Sequence, residues 1–132
     1  MKIEDHLKTV KESIEVIEES IEKGLQERQR NIGFNTSVAC IDLLEIYLHQ
    51  KHLIDPGFVI KHEWFRSQNK LKEKFPFDFP EKDALFDMIT KIEEKRDILC
   101  YGKQQDIILL QEIIDTFNNV KKKFRELGVD EL

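Results

Sequence analysis

The sequence of 132 residues is poor in turn-making residues, with only five glycines and three prolines. A protein of many β-strands needs a turn about every eight to twelve residues, so this composition favours helices. The motifs GxxxxGK[ST], GxGxxG and GxSxG are also absent. Their absence excludes the usual phosphate-binding loops and the nucleophile elbow of the hydrolases.

Long apolar runs and cysteine frameworks are missing as well. No stretch approaches the roughly 20 apolar residues of a membrane span, and the chain opens with the charged segment MKIEDHLK, unlike a signal peptide. Cys40 and Cys100 form no CxxC pair and lie in apolar stretches, which is typical of reduced core residues. We therefore expect a cytoplasmic protein with no membrane partner.

Charged residues, in contrast, are abundant. The chain has 21 Lys and Arg against 26 Asp and Glu, a formal net charge of −5. This balance argues against general coating of nucleic acid and leaves room for a local basic patch. A hydrophobic content of 40% is enough for one core at this length, so we predict that residues 1–132 form a single domain.

Four segments carry apolar residues at helical spacing. They are residues 3–21, 34–48, about 81–102 and 110–127. The first has a 4-3-4-3-4 pattern that ends near Gly24, and the last ends before a capping Gly128. The second is apolar around most of its circumference and is predicted to be the most buried helix.

Between the second and third segments, Asp55-Pro56-Gly57 predicts a loop over about residues 54–61. HEWFRSQNKLKEKF then predicts a short helix, followed by an aromatic loop at PFDFP. The whole pattern predicts an all-α antiparallel up-and-down four-helix bundle with an additional short helix. The heptad-like stripes on the first and last helices fit either mutual packing or the seam of a helical dimer.

Glu45, His49 and His52 have i, i+4, i+7 spacing on one helix face and could converge on a metal. The spacing is common by chance, however, and neither HExxH nor a Cys/His cluster accompanies it. Histidines near a helix end often interact with its free carbonyls. We predict no metal site and no cofactor.

The segment KRDILCYGK is unusual because it places Arg96 and Asp97 within the apolar rhythm of a helix. One explanation is structural: Arg96 lays its stem along the bundle and points its head to water, or pairs with Asp97 or Glu93. The other is functional, and it comes from a resemblance.

The order of these features resembles the HEPN domain family, the higher eukaryote and prokaryote nucleotide-binding family of small helical bundles that commonly dimerise. The matching pieces are FNTSVACIDLLEIYLHQKHLI, then KHEWF before a short helix, then EEKRDILCYG before a final long amphipathic helix. The resemblance covers about residues 26–124. Its specificity depends mainly on the motif around Arg96 and on helix order.

Ribonucleases of that family resemble one another in a motif of Arg, a polar residue and then a His. Arg96 and Asp97 match its first half, but Tyr101 stands where RDxxxHG has its histidine. The resemblance implies metal-independent RNA cleavage, in which the 2′-hydroxyl attacks the phosphate with help from His and Arg across a dimer cleft. Tyrosine, with a pKa of about 10, is a poor base at neutral pH, so we expect Tyr101 to position a phosphate without driving turnover.

Anion binding should survive this loss of catalysis. In a family-like dimer, two copies of Arg96 would line one cleft and hold a phosphate or a nucleotide tail. We expect Tyr101, Lys95 and Lys103 to contribute to that ligand site. Further basic residues add attraction for RNA if they share its face, and otherwise form a solvated charged surface; they are Lys61, Arg66, Lys70, Lys72 and Lys74.

Three hypotheses follow. The favoured one is a HEPN-like homodimer that binds a nucleotide or RNA, is inert or weak as an enzyme, and has a minimal nucleotidyltransferase as a partner protein. The second is an active metal-independent ribonuclease, toxin-like, in which Arg96 stabilises the transition state and Tyr101 or a histidine from elsewhere replaces the missing imidazole. The third is a structural helical protein-interaction module.

Overall fold

The computed structural model describes residues 2–129, and all its regular elements in that range are helical. They are α1 (Ile3–Lys23), α2 (Gln29–Gln50), a 3₁₀ helix (His62–Arg66), α3 (Gln68–Lys74), α4 (Lys82–Tyr101) and α5 (Ile107–Glu126). The predicted all-α helical bundle is confirmed. None of the described helices is both long enough and apolar enough to cross a membrane.

The helix ends follow from local chemistry. Gly24 has a φ of 123° and ends α1, because this backbone conformation suits only glycine well. Gly128, with a φ of 109°, ends α5. The Gly128 N–H donates to the Arg125 carbonyl, and the Val129 N–H donates to the Phe124 carbonyl. These two hydrogen bonds form a Schellman motif. The Asp106 carboxylate accepts the Ile108 N–H at 3.0 Å and caps the start of α5.

Helix α2 is the centre of the fold, as predicted. It packs against α1 on one side and against α4 and α5 on the other, and its residues from Ala39 to Leu48 are buried except Asp42. Gly33 lies against Leu99 near the opposite end of α4, so these two helices run antiparallel. The α2–α4 pair is the framework for the candidate site.

The first helix differs in detail from the predicted stripe. Val10 and Ile17 are buried, but the other buried positions of α1 are polar: His6, Ser13 and Ser20. Ile21, predicted to lie in the stripe, is 47% exposed. Two of these polar residues have partners: His6 contacts Asp42 and Glu45 of α2, and the Ser20 hydroxyl donates to the Val16 carbonyl. A pattern of apolar residues does not reveal such partners.

The segment after α2 is two elements where one short helix was predicted. Ser67 separates the 3₁₀ helix from α3, and its hydroxyl caps α3 by accepting the Lys70 N–H at 3.2 Å. Phe75 contacts Trp64, Phe65 and Phe86 edge-on or tilted, with ring centroids 5.0–6.1 Å apart. This aromatic cluster anchors the 3₁₀ helix on α4.

Candidate functional site

Arg96 lies in the last two turns of α4 and is half-buried. Its guanidinium carbon is 5.8 Å from the centre of the Phe34 ring on α2. Its Nε atom is buried and has no hydrogen-bond partner among residues 2–129. Within the same residues Arg96 forms no salt bridge, so the pairing with Asp97 or Glu93 offered as one structural explanation is absent there. The half-buried side chain agrees with the other structural explanation, a stem that lies along the bundle.

A cavity of about 480 Å³ opens beside Arg96. It exists because the 3₁₀ helix and the residues just before it lie across the end of α4. The cavity is lined by Ile60, Lys61, His62, Glu63, Arg66, Arg96 and Asp97. We call it the Arg96 cavity.

The charges of the Arg96 cavity are unevenly paired. Arg66 Nη2 donates to Asp97 Oδ2 at 2.9 Å, and both groups are well exposed, so these two charges offset each other. Among the described residues, neither Arg96 nor Lys61 makes a salt bridge, and the remaining carboxylate, Glu63, is exposed. Two cations are therefore available to a ligand.

Behind the cavity lies a buried polar cluster formed by three elements. Glu93 is fully buried, and its Oε1 accepts hydrogen bonds from Ser37 Oγ at 2.7 Å and from His62 Nδ1 at 2.9 Å. The side chain of His62 is 28% exposed, and its Nε2 has no hydrogen bond within residues 2–129. A carboxylate that holds one imidazole nitrogen fixes the orientation of the ring, and here it leaves Nε2 facing away from Glu93.

The structure brings only part of the predicted set together. Arg96 and Asp97 share one cavity with Lys61 and Arg66, whereas Tyr101, Lys95 and Lys103 do not line it. Tyr101 is 79% exposed and lies 6.0 Å from the Arg30 guanidinium. Lys95 and Lys103 are exposed, and the Lys103 carbonyl accepts a hydrogen bond from Gln29.

His62 is the residue that sequence reasoning did not connect with Arg96. The sequence shows it as one of several histidines, and nothing in its spacing points to a residue more than thirty positions later. Its pairing with Glu93 depends on the path of the loop between α2 and α3. The local signal is that His62 is the first residue of the short helical segment, two positions before Trp64.

Large apolar side chains are exposed at the end of the α2–α4 pair where α2 begins and α4 ends. They are Phe34, Ile98 and Tyr101, with exposed fractions of 47%, 41% and 79%. Arg30 and Arg96 flank them through their contacts with Tyr101 and Phe34. We call these three residues the apolar patch.

A second cavity, of about 390 Å³, lies between α3 and α4. Its charged residues are two lysines and two aspartates: Lys72, Lys82, Asp83 and Asp87. The Lys82 ammonium is already engaged by the carbonyls of Phe75 and Phe77. This balanced lining has less attraction for an anion than the Arg96 cavity.

No family model, curated protein or solved structure that we compared with the chain matches it.

Proposed function

We propose that the chain is a HEPN-like binding or regulatory protein that takes a phosphate group of a nucleotide or of RNA at the Arg96 cavity. The observation that carries this proposal is that no carboxylate among residues 2–129 pairs with the guanidinium of Arg96, which lies on the wall of a cavity. A half-buried arginine without a carboxylate partner is a ready anion site, because its planar donors match phosphate oxygens. Lys61 adds a second cation to the same cavity.

The surroundings suit a nucleotide better than a bare anion. Phe34 and Tyr101 present aromatic rings close to the two arginines. Unpaired bases stack on such rings, while the backbone phosphates contact the cations. Single-stranded RNA or a mononucleotide is therefore the ligand class, although the net charge of −5 limits the attraction to this local surface.

The same proposal includes a homodimer. Ile98, which is 41% exposed beside the two aromatic rings, favours association, because contact with a second copy removes it from water and leaves the rings to the base. Such a dimer would bring two copies of Arg96 near one another. A minimal nucleotidyltransferase as partner protein belongs to this proposal through the family resemblance alone.

The test is a binding titration of wild type, Arg96→Ala and Lys95→Ala with short single-stranded RNA and with ATP, at low and high salt. Lys95→Ala is the matched control, because it removes an exposed charge next to Arg96 and outside the cavity. We expect wild type and the control to bind in a saturable, salt-sensitive way, and Arg96→Ala to bind about 10- to 100-fold more weakly. Equal binding by all three proteins would reject the site, and no binding at all would favour the interaction module.

A second candidate function, a metal-independent ribonuclease, is favoured by the pair His62–Glu93. With Nδ1 held by Glu93, His62 Nε2 can take the proton of a ribose 2′-hydroxyl. The 2′-oxygen then bonds to phosphorus as the bond from phosphorus to the 5′-oxygen breaks. The departing 5′-oxygen takes a proton from water and the proton on His62 returns to solvent, which yields a 2′,3′-cyclic phosphate and a 5′-hydroxyl. Arg96 would stabilise the charge that develops on the phosphate.

The variant His62→Ala distinguishes the ribonuclease from a protein that only binds RNA. His52→Ala, at an exposed position, is the control. If the chain cleaves RNA, cleavage should persist in EDTA, survive His52→Ala and disappear in His62→Ala while RNA binding remains. If RNA stays intact in the presence of wild type, the ribonuclease candidate is rejected and the binding function is the one that is left. Cleavage that survives both Arg96→Ala and His62→Ala would identify a contaminating nuclease.

A further inference from the structure

A second cluster of titratable side chains joins α1 to α2. His6 of α1 is buried, and each of its ring nitrogens meets a carboxylate of α2. Nδ1 lies 2.8 Å from Asp42 Oδ1, and Nε2 lies 2.7 Å from Glu45 Oε2. His49, one helical turn after Glu45, stacks near His6 with ring centroids 6.3 Å apart.

His49 is the member of this cluster that packing does not explain. Its Nε2 is buried and has no hydrogen-bond partner among residues 2–129. A buried imidazole nitrogen without a partner is unfavourable. One ligand atom each from His6, Glu45 and His49 lie within 4.8 Å of one another, so His49 belongs to a group of side chains able to ligate.

We propose that His6, Glu45 and His49 form a binding site for one divalent transition-metal ion, with Zn²⁺ as the best match. Two imidazoles and a carboxylate are a donor set that zinc uses in proteins, and it leaves a fourth position for water. Ligands of a tetrahedral zinc ion at about 2.1 Å are about 3.4 Å apart. Ion binding requires the 2.7 Å separation of His6 Nε2 and Glu45 Oε2 to widen to that value and the separations to His49, which lie within 4.8 Å, to settle at it.

The residues around the three ligands support the same assignment. Asp42 holds His6 Nδ1, so Nε2 is the nitrogen left for an ion, and carboxylates orient metal-binding histidines in this way. Asp42 is itself fixed by the Thr9 hydroxyl, which donates to Oδ2 at 2.9 Å. Glu45 Oε1 accepts the Ile60 N–H at 2.9 Å, which leaves Oε2 for the ion.

An entry route is also present. A cavity of about 600 Å³ is lined in part by His49, His52, Asp5 and Ile54. An ion that reaches His49 from this cavity would displace the proton that lies between His6 Nε2 and Glu45 Oε2, because imidazole ligates only in its unprotonated form. The ion would then tie α1 to α2.

The test uses the full chain after removal of metals with a chelator. Titration with Co²⁺ should give the intense visible absorption of a four-coordinate ion at one equivalent per chain, and one equivalent of Zn²⁺ should remove it. Thermal unfolding with Zn²⁺ should shift to higher temperature. Two glutamine variants are compared: His49→Gln removes the unpartnered ligand, and His52→Gln removes an exposed histidine of the same cavity.

We expect His49→Gln to weaken metal binding at least about 100-fold and His52→Gln to leave it unchanged. His49→Gln breaks no side-chain hydrogen bond within residues 2–129, so circular dichroism should report a folded protein. Absence of stoichiometric uptake by wild type would overturn the proposal without reference to any variant. Metal binding by His49→Gln as tight as that of wild type would also overturn it. Loss of metal binding in His52→Gln, with His6→Gln still binding metal, would overturn it as well.

Discussion

Gly33 of α2 and Leu99 of α4 are in closer contact than any larger residue at position 33 would allow. A Cβ atom at position 33 would lie 2.5 Å from Leu99 Cβ, closer than two carbon atoms approach. The glycine therefore sets the distance between α2 and α4 at the end where Phe34 meets Arg96. The geometry of the Arg96 cavity and of the apolar patch depends on this contact.

Gly33→Ala should accordingly destabilise the protein, although alanine is the better helix former. Overpacking costs about 1–3 kcal/mol, and the gain in helix propensity of about 1 kcal/mol offsets only part of it. We expect a net loss of up to about 2 kcal/mol in the free energy of unfolding, measured by urea denaturation. Gly57→Ala, with no atom within 4 Å of the new Cβ, is the control and should change stability little; a Gly33→Ala protein as stable as that control would contradict the close contact.

The helices were predictable from the sequence because their signals are local. Apolar periodicity, Gly24, Gly102 and Gly128 mark helix faces and ends within a few residues, and the observed ends of α1, α4 and α5 agree with them. The uniform apolarity of the second segment likewise predicted the central position of α2. These features need no knowledge of the tertiary structure.

The polar clusters were not predictable, for a physical reason. His6 with Asp42, and His62 with Glu93, pair across 36 and 31 residues, and a polar residue in an apolar helix reveals nothing about its partner. The motif around Arg96 located one wall of a cavity. Its other wall, with Lys61, His62 and Arg66, depends on how the loop after α2 crosses α4.

The apolar patch yields a prediction about oligomeric state. Ile98→Glu introduces a charge into the patch, which opposes its burial against a second copy. We expect wild type to be a dimer and Ile98→Glu a monomer with unchanged helicity, measured by sedimentation velocity. Ile21→Glu tests the alternative dimer seam on α1, where Ile21 is 47% exposed. If Ile21→Glu is a monomer and Ile98→Glu is still a dimer, the interface lies on α1 and the prediction for the apolar patch is wrong.

The two thiols should differ in reactivity. Burial, together with the charge of Glu93, holds the pKa of Cys40 well above its ordinary value, and the thiol is fully buried. Burial also raises the pKa of Cys100, but Arg96 and Arg30 oppose the effect, and this residue is only partly buried. Since the thiolate is the reactive form, iodoacetamide at pH 8 should modify Cys100 first and leave Cys40 intact until the protein unfolds. Peptide mass spectrometry would show the order, and early modification of Cys40 would contradict the described packing.

His6 makes stability depend on pH in the metal-free protein. Burial alone would lower its pKa, but hydrogen bonds and charge from Asp42 and Glu45 raise it from 6.5 to about 9. Burial would similarly raise the pKa of Glu45, yet its bonds to His6 and to the Ile60 N–H keep it below the ordinary value. The pKa of His49 is lowered by burial, and although Glu45 opposes this, the charge of His6 adds to it. The protonated form of His6 is thus the form that the fold stabilises.

Because the folded pKa exceeds the unfolded one, the stabilisation by protonated His6 is fully present below about pH 6.5 and is lost as the pH rises through 9. The shift corresponds to at most roughly 3 kcal/mol. We expect urea unfolding in EDTA to show wild type losing stability between pH 6.5 and 9.5 more steeply than His6→Gln, which cannot titrate there. Ionisation of Cys40 on unfolding lowers the stability of both proteins alike, so the difference between the two curves isolates His6. Parallel curves would mean that His6 is not held in its charged form by Asp42 and Glu45.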